Sequence, residues 1–160
     1  SVLHGGILAE KVRQAFTKLS FHEQTLLEKR CAICMTCGRV APLSERVSFD
    51  ELAIKFEASS PRTAERAYNR AVEKLTLGLV ELGAVHAVRI ERTTQDTYRY
   101  QVDNEGDWGK FALGPAGELK IIALAELDTV KTHRFAEQAA SYLRAHAGEK
   151  VAKKLLVAFE

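Results

Sequence analysis

From Ile7 to Lys18, the apolar residues Leu8, Val12, Ala15 and Phe16, with Leu19 just beyond, recur at helical spacing. This predicts an amphipathic helix that packs on a core or pairs with another subunit. Further on, Ser48-Phe49-Asp50-Glu51 has the form of a capping box, in which serine and glutamate satisfy each other's backbone donors. Leu52, Ala53 and Phe56 follow as an apolar face, so a short helix is expected there. After Glu57-Ala58-Ser59, Ser60 is a good N-cap and Pro61 suits the first helical position. Ala64, Ala67, Ala71, Val72 and Leu75 then form one apolar stripe, and Gly83 is placed to stop the helix as a C′ residue.

Beyond Gly83 the period changes from helical to two. Val88 and Ile90 alternate with Arg89 and Glu91, and alternation resumes in Thr97–Val102 after the polar Thr93-Thr94-Gln95-Asp96. This is the pattern of a β-hairpin. Residues Asp103–Gly117 are rich in glycine and read as a loop carrying Trp108 and Phe111. Leu119–Leu124 fits either a strand or the first turn of a helix, because periodicity does not distinguish them over so short a run. Thr132–Ala147 reads as a helix with Phe135, Ala139, Tyr142, Leu143 and His146 on one side. Gly148 breaks it, and Val151, Leu155, Leu156 and Phe159 are expected to form a final short helix. The expected fold is therefore mainly α with a small β-hairpin. Residues 1–102 form its core domain, and 103–160 form a loop and C-terminal helical extension that serves dimerisation or partner binding.

The chemistry concentrates in residues 60–77. Arg62, Arg66, Arg70 and Lys74 fall four apart, so one helix face carries a row of cations opposite the alanine stripe. Glu65 and Glu73 interrupt the positive field. Two helices joined by so short a connection as 57–59 must cross at a steep angle, as in a helix-turn-helix. The segments Phe49-Asp50-Glu51-Leu52-Ala53, Ser60-Pro61-Arg62-Thr63-Ala64-Glu65-Arg66 and Arg70-Ala71-Val72-Glu73-Lys74-Leu75 resemble the helix-turn-helix of bacterial sigma factor region 4. Leu19–Arg30 is similar to that family's preceding helix. In this chain Glu57 stands where the family commonly has glycine, the turn is one residue longer, and a spacer with three cysteines follows the first helix. The run Leu79-Val80-Glu81-Leu82-Gly83 leading into the hairpin resembles the recognition helix and wing of winged helix-turn-helix proteins.

These resemblances imply a winged helix-turn-helix that binds double-stranded DNA, most simply as a transcriptional regulator. Arg62, Thr63, Arg66 and Asn69 would face the major groove, where Asn69 suits an adenine edge and Arg62 or Arg66 a guanine. Arg70 and Lys74 would hold phosphates, as would Arg89, Arg92 and Arg99 in a basic wing. Two alternatives share this reading: a winged-helix module of a replication or partition initiator, and a module that contacts RNA polymerase or another subunit without touching DNA.

Bulk properties narrow the choice. The formal net charge is only +2, so binding to a polyanion has to rest on a local patch. No apolar run is long enough to span a membrane and nothing resembles a signal peptide, so a cytoplasmic protein is expected. Cys31, Cys34 and Cys37 have a spacing that suits zinc or an iron–sulfur cluster. The only nearby candidates for a fourth ligand are His4 and His22, and no second pair of ligands follows. The thiols are therefore expected to extend the helix begun at Ser20 as small hydrophobes, ended by Gly38, with no metal and no cofactor. A disulfide is not expected in a reducing compartment. There is no glycine-rich phosphate loop and no nucleophile elbow, and no enzymatic activity is expected. The acidic Asp103–Asp107 lacks the closing glutamate of a calcium loop and reads as a polar turn.

Overall fold

A computed structural model describes residues 2–32, 34, 43–125, 129–149 and 151–158. The chain divides into two compact units, Ser1–Ala84 and Val85–Glu160. The first is helical. It contains α1 (Val2–Thr17), α2 (Phe21–Cys31), a single 3-10 turn at Leu43–Glu45, α3 (Phe49–Lys55) and α4 (Pro61–Glu81).

Serine caps set the starts of three of these helices. The complete capping box lies at Ser20, whose hydroxyl accepts from the Glu23 amide while the Glu23 carboxylate accepts from the Ser20 amide. At Ser48 the hydroxyl accepts from the Glu51 amide, and at Ser60 from the Thr63 amide. Helix α2 stops at Cys31, because Ala32 turns into the left-handed region at φ 55°. Cys34 accordingly lies outside the helix that was expected to carry it, and Cys37 and Gly38 lie outside the described residues.

Helix α4 packs against α1, α2 and α3. Its alanines divide the work. Ala64 joins Leu26, Leu52 and Ala53 in one buried cluster, and Ala71 joins Phe16 and Leu27 in another. Small residues at these positions let the neighbouring helices approach closely.

The second unit corrects the expectation of a mainly helical fold with one small hairpin. Its strands are β1 (His86–Thr94), β2 (Thr97–Val102), β3 (Gly109–Leu113), β4 (Leu119–Ala123) and β5 (Lys153–Ala158), and its helix is α5 (Thr129–Ala145). They build a five-stranded antiparallel sheet in the order β4-β3-β2-β1-β5. The expected hairpin is present as β1–β2, but it is the interior of this sheet. β3 pairs with β2 on one side and β5 with β1 on the other. The expected helical extension is one helix followed by a strand, so Leu155 and Leu156 lie on β5, and Phe159 is outside the described residues.

The core explains this outcome. Val88, Ile90, Tyr98, Tyr100, Val102 and Phe111 from one sheet face pack with Phe135, Ala136, Ala139 and Leu143 of α5. A two-stranded hairpin cannot bury that much apolar surface and is marginal alone, whereas five strands under a helix form a closed layer. Gly109, part of what reads as a loop, sits in β3 directly opposite Tyr100. A Cβ there would run into the Tyr100 ring and come within 2.6 Å of the Ala125 amide nitrogen. The glycine thus makes room for the tyrosine, whose hydroxyl accepts from that amide at 3.2 Å. Burial first of all pushes the Tyr100 phenol above its ordinary range.

Candidate nucleic-acid interface

Helices α3 and α4 are joined by residues 56–60. The connection is tightly bonded. The Ala58 amide donates to the Ala53 carbonyl at 2.8 Å, and Glu57 adopts φ 53°. Glu57 therefore stands in the left-handed conformation that glycine takes most easily, at the position where the resembled family commonly has glycine. Leu52 is fully buried against Leu26, and Ala53 and Ala64 are buried in the same cluster.

Arg62, Arg66, Asn69 and Arg70 are all exposed on α4. Among the described residues, no hydrogen bond or ion pair engages the guanidinium groups of Arg62, Arg66 or Arg70. From Arg62 to Arg70 the row extends about 12 Å along the helix. Thr63 is different. It is half-buried, and its hydroxyl lies 3.1 Å from those of both Ser59 and Ser60, so it helps to close the turn.

Lys74 is also engaged. Its ammonium is 2.8 Å from the Glu23 carboxylate of α2, with Lys74 62% and Glu23 16% exposed. The hydrogen bond from Lys74, followed by that from the Ser20 amide, holds the Glu23 carboxyl below its ordinary range. Glu23 thus ties α2 to α4, a partnership that no local spacing in the sequence reveals.

The hairpin arginines have partners within the sheet unit. Arg89 is half-buried and its Nη2 lies 3.4 Å from Asn104 Oδ1. Arg92 donates to the Gln95 carbonyl from Nε at 3.2 Å and from Nη2 at 3.0 Å. Arg99 bonds Glu91 from Nε at 2.9 Å and stacks over the Trp108 ring at 4.2 Å. Because β1 and β2 are interior strands, these arginines lie on a five-stranded sheet and not on a lone two-stranded hairpin.

Cys31 and Cys34 are free thiols, and Cys37 lies outside the described residues. The Cys31 Sγ is 3.4 Å from the Tyr68 hydroxyl. Burial, and then the hydrogen bond with Cys31, push the Tyr68 phenol up to about 12. His22, one candidate fourth ligand, packs its ring against Phe56 with centroids 4.6 Å apart. Among the described residues no three His, Cys, Asp or Glu side chains are grouped to hold a metal, and no helix is long and apolar enough to cross a membrane.

No protein-family model matches the chain, and neither a characterised protein nor a solved structure is detectably similar to it.

Proposed function

We propose that this chain is a sequence-specific duplex DNA-binding protein of the cytoplasm that regulates transcription, with α4 as its recognition element. The observation that carries this reading is the exposed row of Arg62, Arg66 and Arg70, whose guanidinium groups have no partner among the described residues. Cations left free in this way displace condensed counterions from DNA phosphates, the main source of affinity for a duplex. Asn69 lies in the same segment and can make a bidentate contact with adenine. The opposite side of α4 is occupied by small buried residues, so the helix is held rigidly while its charged side faces solvent.

In this reading Thr63 and Lys74 act differently from the arginines. Thr63 orders the turn, and Lys74 anchors α4 to α2 through Glu23, so their loss would weaken binding through the scaffold. The test is fluorescence anisotropy with a random-sequence duplex at low and moderate salt, comparing the wild type with Arg62→Ala/Arg66→Ala. Binding that is steeply salt-dependent and markedly weakened in the folded double variant supports the reading. Undiminished binding in that variant removes α4 from the interface.

A second reading draws on two isolated apolar side chains in the same unit, Phe21 at 84% and Ile54 at 81% exposure. It assigns this unit to contact with a protein such as RNA polymerase, and absence of DNA binding by the folded wild type would favour it.

A further inference from the structure

Strand pairing gathers cations that lie far apart in the sequence. Glu91 pairs with Arg99 and with Lys153, Arg99 pairs with Lys110, and Ala112 pairs with Lys120. Residues in register share a face, and alternation places Arg89 on that face as well. Val88, Ile90, Tyr98 and Tyr100 point the other way, into the core with α5. Among the described residues, the strands of the second face therefore carry Arg89, Arg99, Lys110, Lys120 and Lys153 against one carboxylate, Glu91, which Arg99 engages. Arg99, Lys110, Lys120 and Lys153 are exposed. On a chain whose formal net charge is +2, this is a strong local concentration of positive charge.

We infer that this sheet face is a second nucleic-acid surface, one that grips the phosphate backbone of duplex DNA without reading its sequence. The occupant follows from the chemistry of the face. Lys153 and Lys110 stand three strand spacings apart, about 14 Å. That is comparable to the roughly 12 Å width of a major groove, so the flexible amines reach phosphates on both of its rims. The face has one large aromatic, Trp108, and the Arg99 guanidinium lies over its ring at 4.2 Å. Single strands are held mainly by bases stacked on open aromatic rings. A face of lysines with its one tryptophan engaged by arginine suits a backbone and not unstacked bases. The acidic turn Asp103–Asp107 lies against one end of this face, where Gln101 donates to the Gly106 carbonyl and Arg89 reaches Asn104, and it limits where the polyanion runs.

This surface goes beyond the proposed recognition helix and is tested separately from it. Anisotropy titrations with random duplex DNA and with single-stranded DNA of the same length, each over a range of salt, are run on the full chain. Wild type, Arg62→Ala/Arg66→Ala and Lys110→Gln/Lys120→Gln/Lys153→Gln are compared, with circular dichroism confirming that each is folded. Each phosphate contact, by releasing condensed counterions, contributes about 0.9 to the logarithmic salt slope on a duplex. The triple lysine variant is expected to bind duplex more weakly and to lose about 2.7 from that slope. An unchanged slope in this variant overturns the sheet surface while leaving α4 untouched. A loss of single-strand binding alone also overturns it. Loss in the triple variant with no loss in the arginine variant supports the sheet surface and removes α4, and no binding by the wild type removes both.

Discussion

Replacing Glu57 with glycine is expected to stabilise the helical unit. Glu57 holds φ 53°, where an L side chain crowds its own carbonyl. That conformation costs a non-glycine residue about 1–2 kcal/mol. The native turn needs only backbone groups here: the Glu57 amide donates to the Ile54 carbonyl at 3.3 Å and the Ala58 amide to the Ala53 carbonyl at 2.8 Å. The Glu57 side chain is exposed, and among the described residues no hydrogen bond or ion pair is lost with it. Glycine in turn loses more backbone freedom on folding, worth about 0.5–1 kcal/mol. The difference leaves Glu57→Gly more stable by about 0.5–1 kcal/mol, or roughly 2–8 °C in Tm for a unit of this size. Glu57→Ala keeps the strained conformation and is expected to change stability by less than about 0.5 kcal/mol. The assay is thermal and urea unfolding followed by far-UV circular dichroism. Trp108 fluorescence follows the other unit, since the chain has one tryptophan. If the glycine variant is no more stable than the alanine variant, residue 57 does not occupy the left-handed region and this account of the turn is wrong.

Three further expectations follow from the packing. Gly109→Ala forces a methyl into the Tyr100 ring and the Ala125 amide, and should destabilise the sheet unit by about 1–3 kcal/mol, read by Trp108 fluorescence in urea. The Glu23–Lys74 pair contributes under about 1 kcal/mol, because Lys74 is largely exposed. Glu23 has a folded pKa below 4.5, so this stability is present above that pH and is lost as pH falls through the folded value. Urea midpoints of wild type and Lys74→Gln should therefore differ near pH 6 and converge toward pH 3. Tyr68 ionises at about 12 instead of 10, so the stability tied to its protonated phenol is full below pH 10 and lost as pH rises toward 12. Spectrophotometric titration should show late-ionising tyrosines, Tyr68 and Tyr100, and Tyr68→Phe should remove one of them.

Where local rules suffice, the sequence was legible. Ser20, Ser48 and Ser60 start helices because a hydroxyl and a free amide three residues on meet regardless of what lies elsewhere. The alternation of Val88 and Ile90 against Arg89 and Glu91 likewise marks β1, and the arginine row of α4 is visible as a spacing of four. The remaining strands are decided by tertiary pairing. β3 begins at a glycine that marks a loop by composition but is required by the Tyr100 ring across the sheet. β5 ends in an apolar run, Leu155–Ala158, whose face is set only by its pairing with β1. The same limit applies to the candidate interface. Glu23 meets Lys74 through the packing of α2 on α4, and Lys110, Lys120 and Lys153 converge only when the sheet forms, so no spacing announces either group.

In the proposed function, α4 meets DNA through its exposed arginine face. The most direct measurement is amide chemical-shift mapping of the full chain titrated with a short duplex. The largest perturbations are expected at residues 60–70, with a weaker, salt-sensitive set around Arg99, Lys110, Lys120 and Lys153. Perturbations that spare 60–70, or none at saturating duplex, would contradict the proposed function.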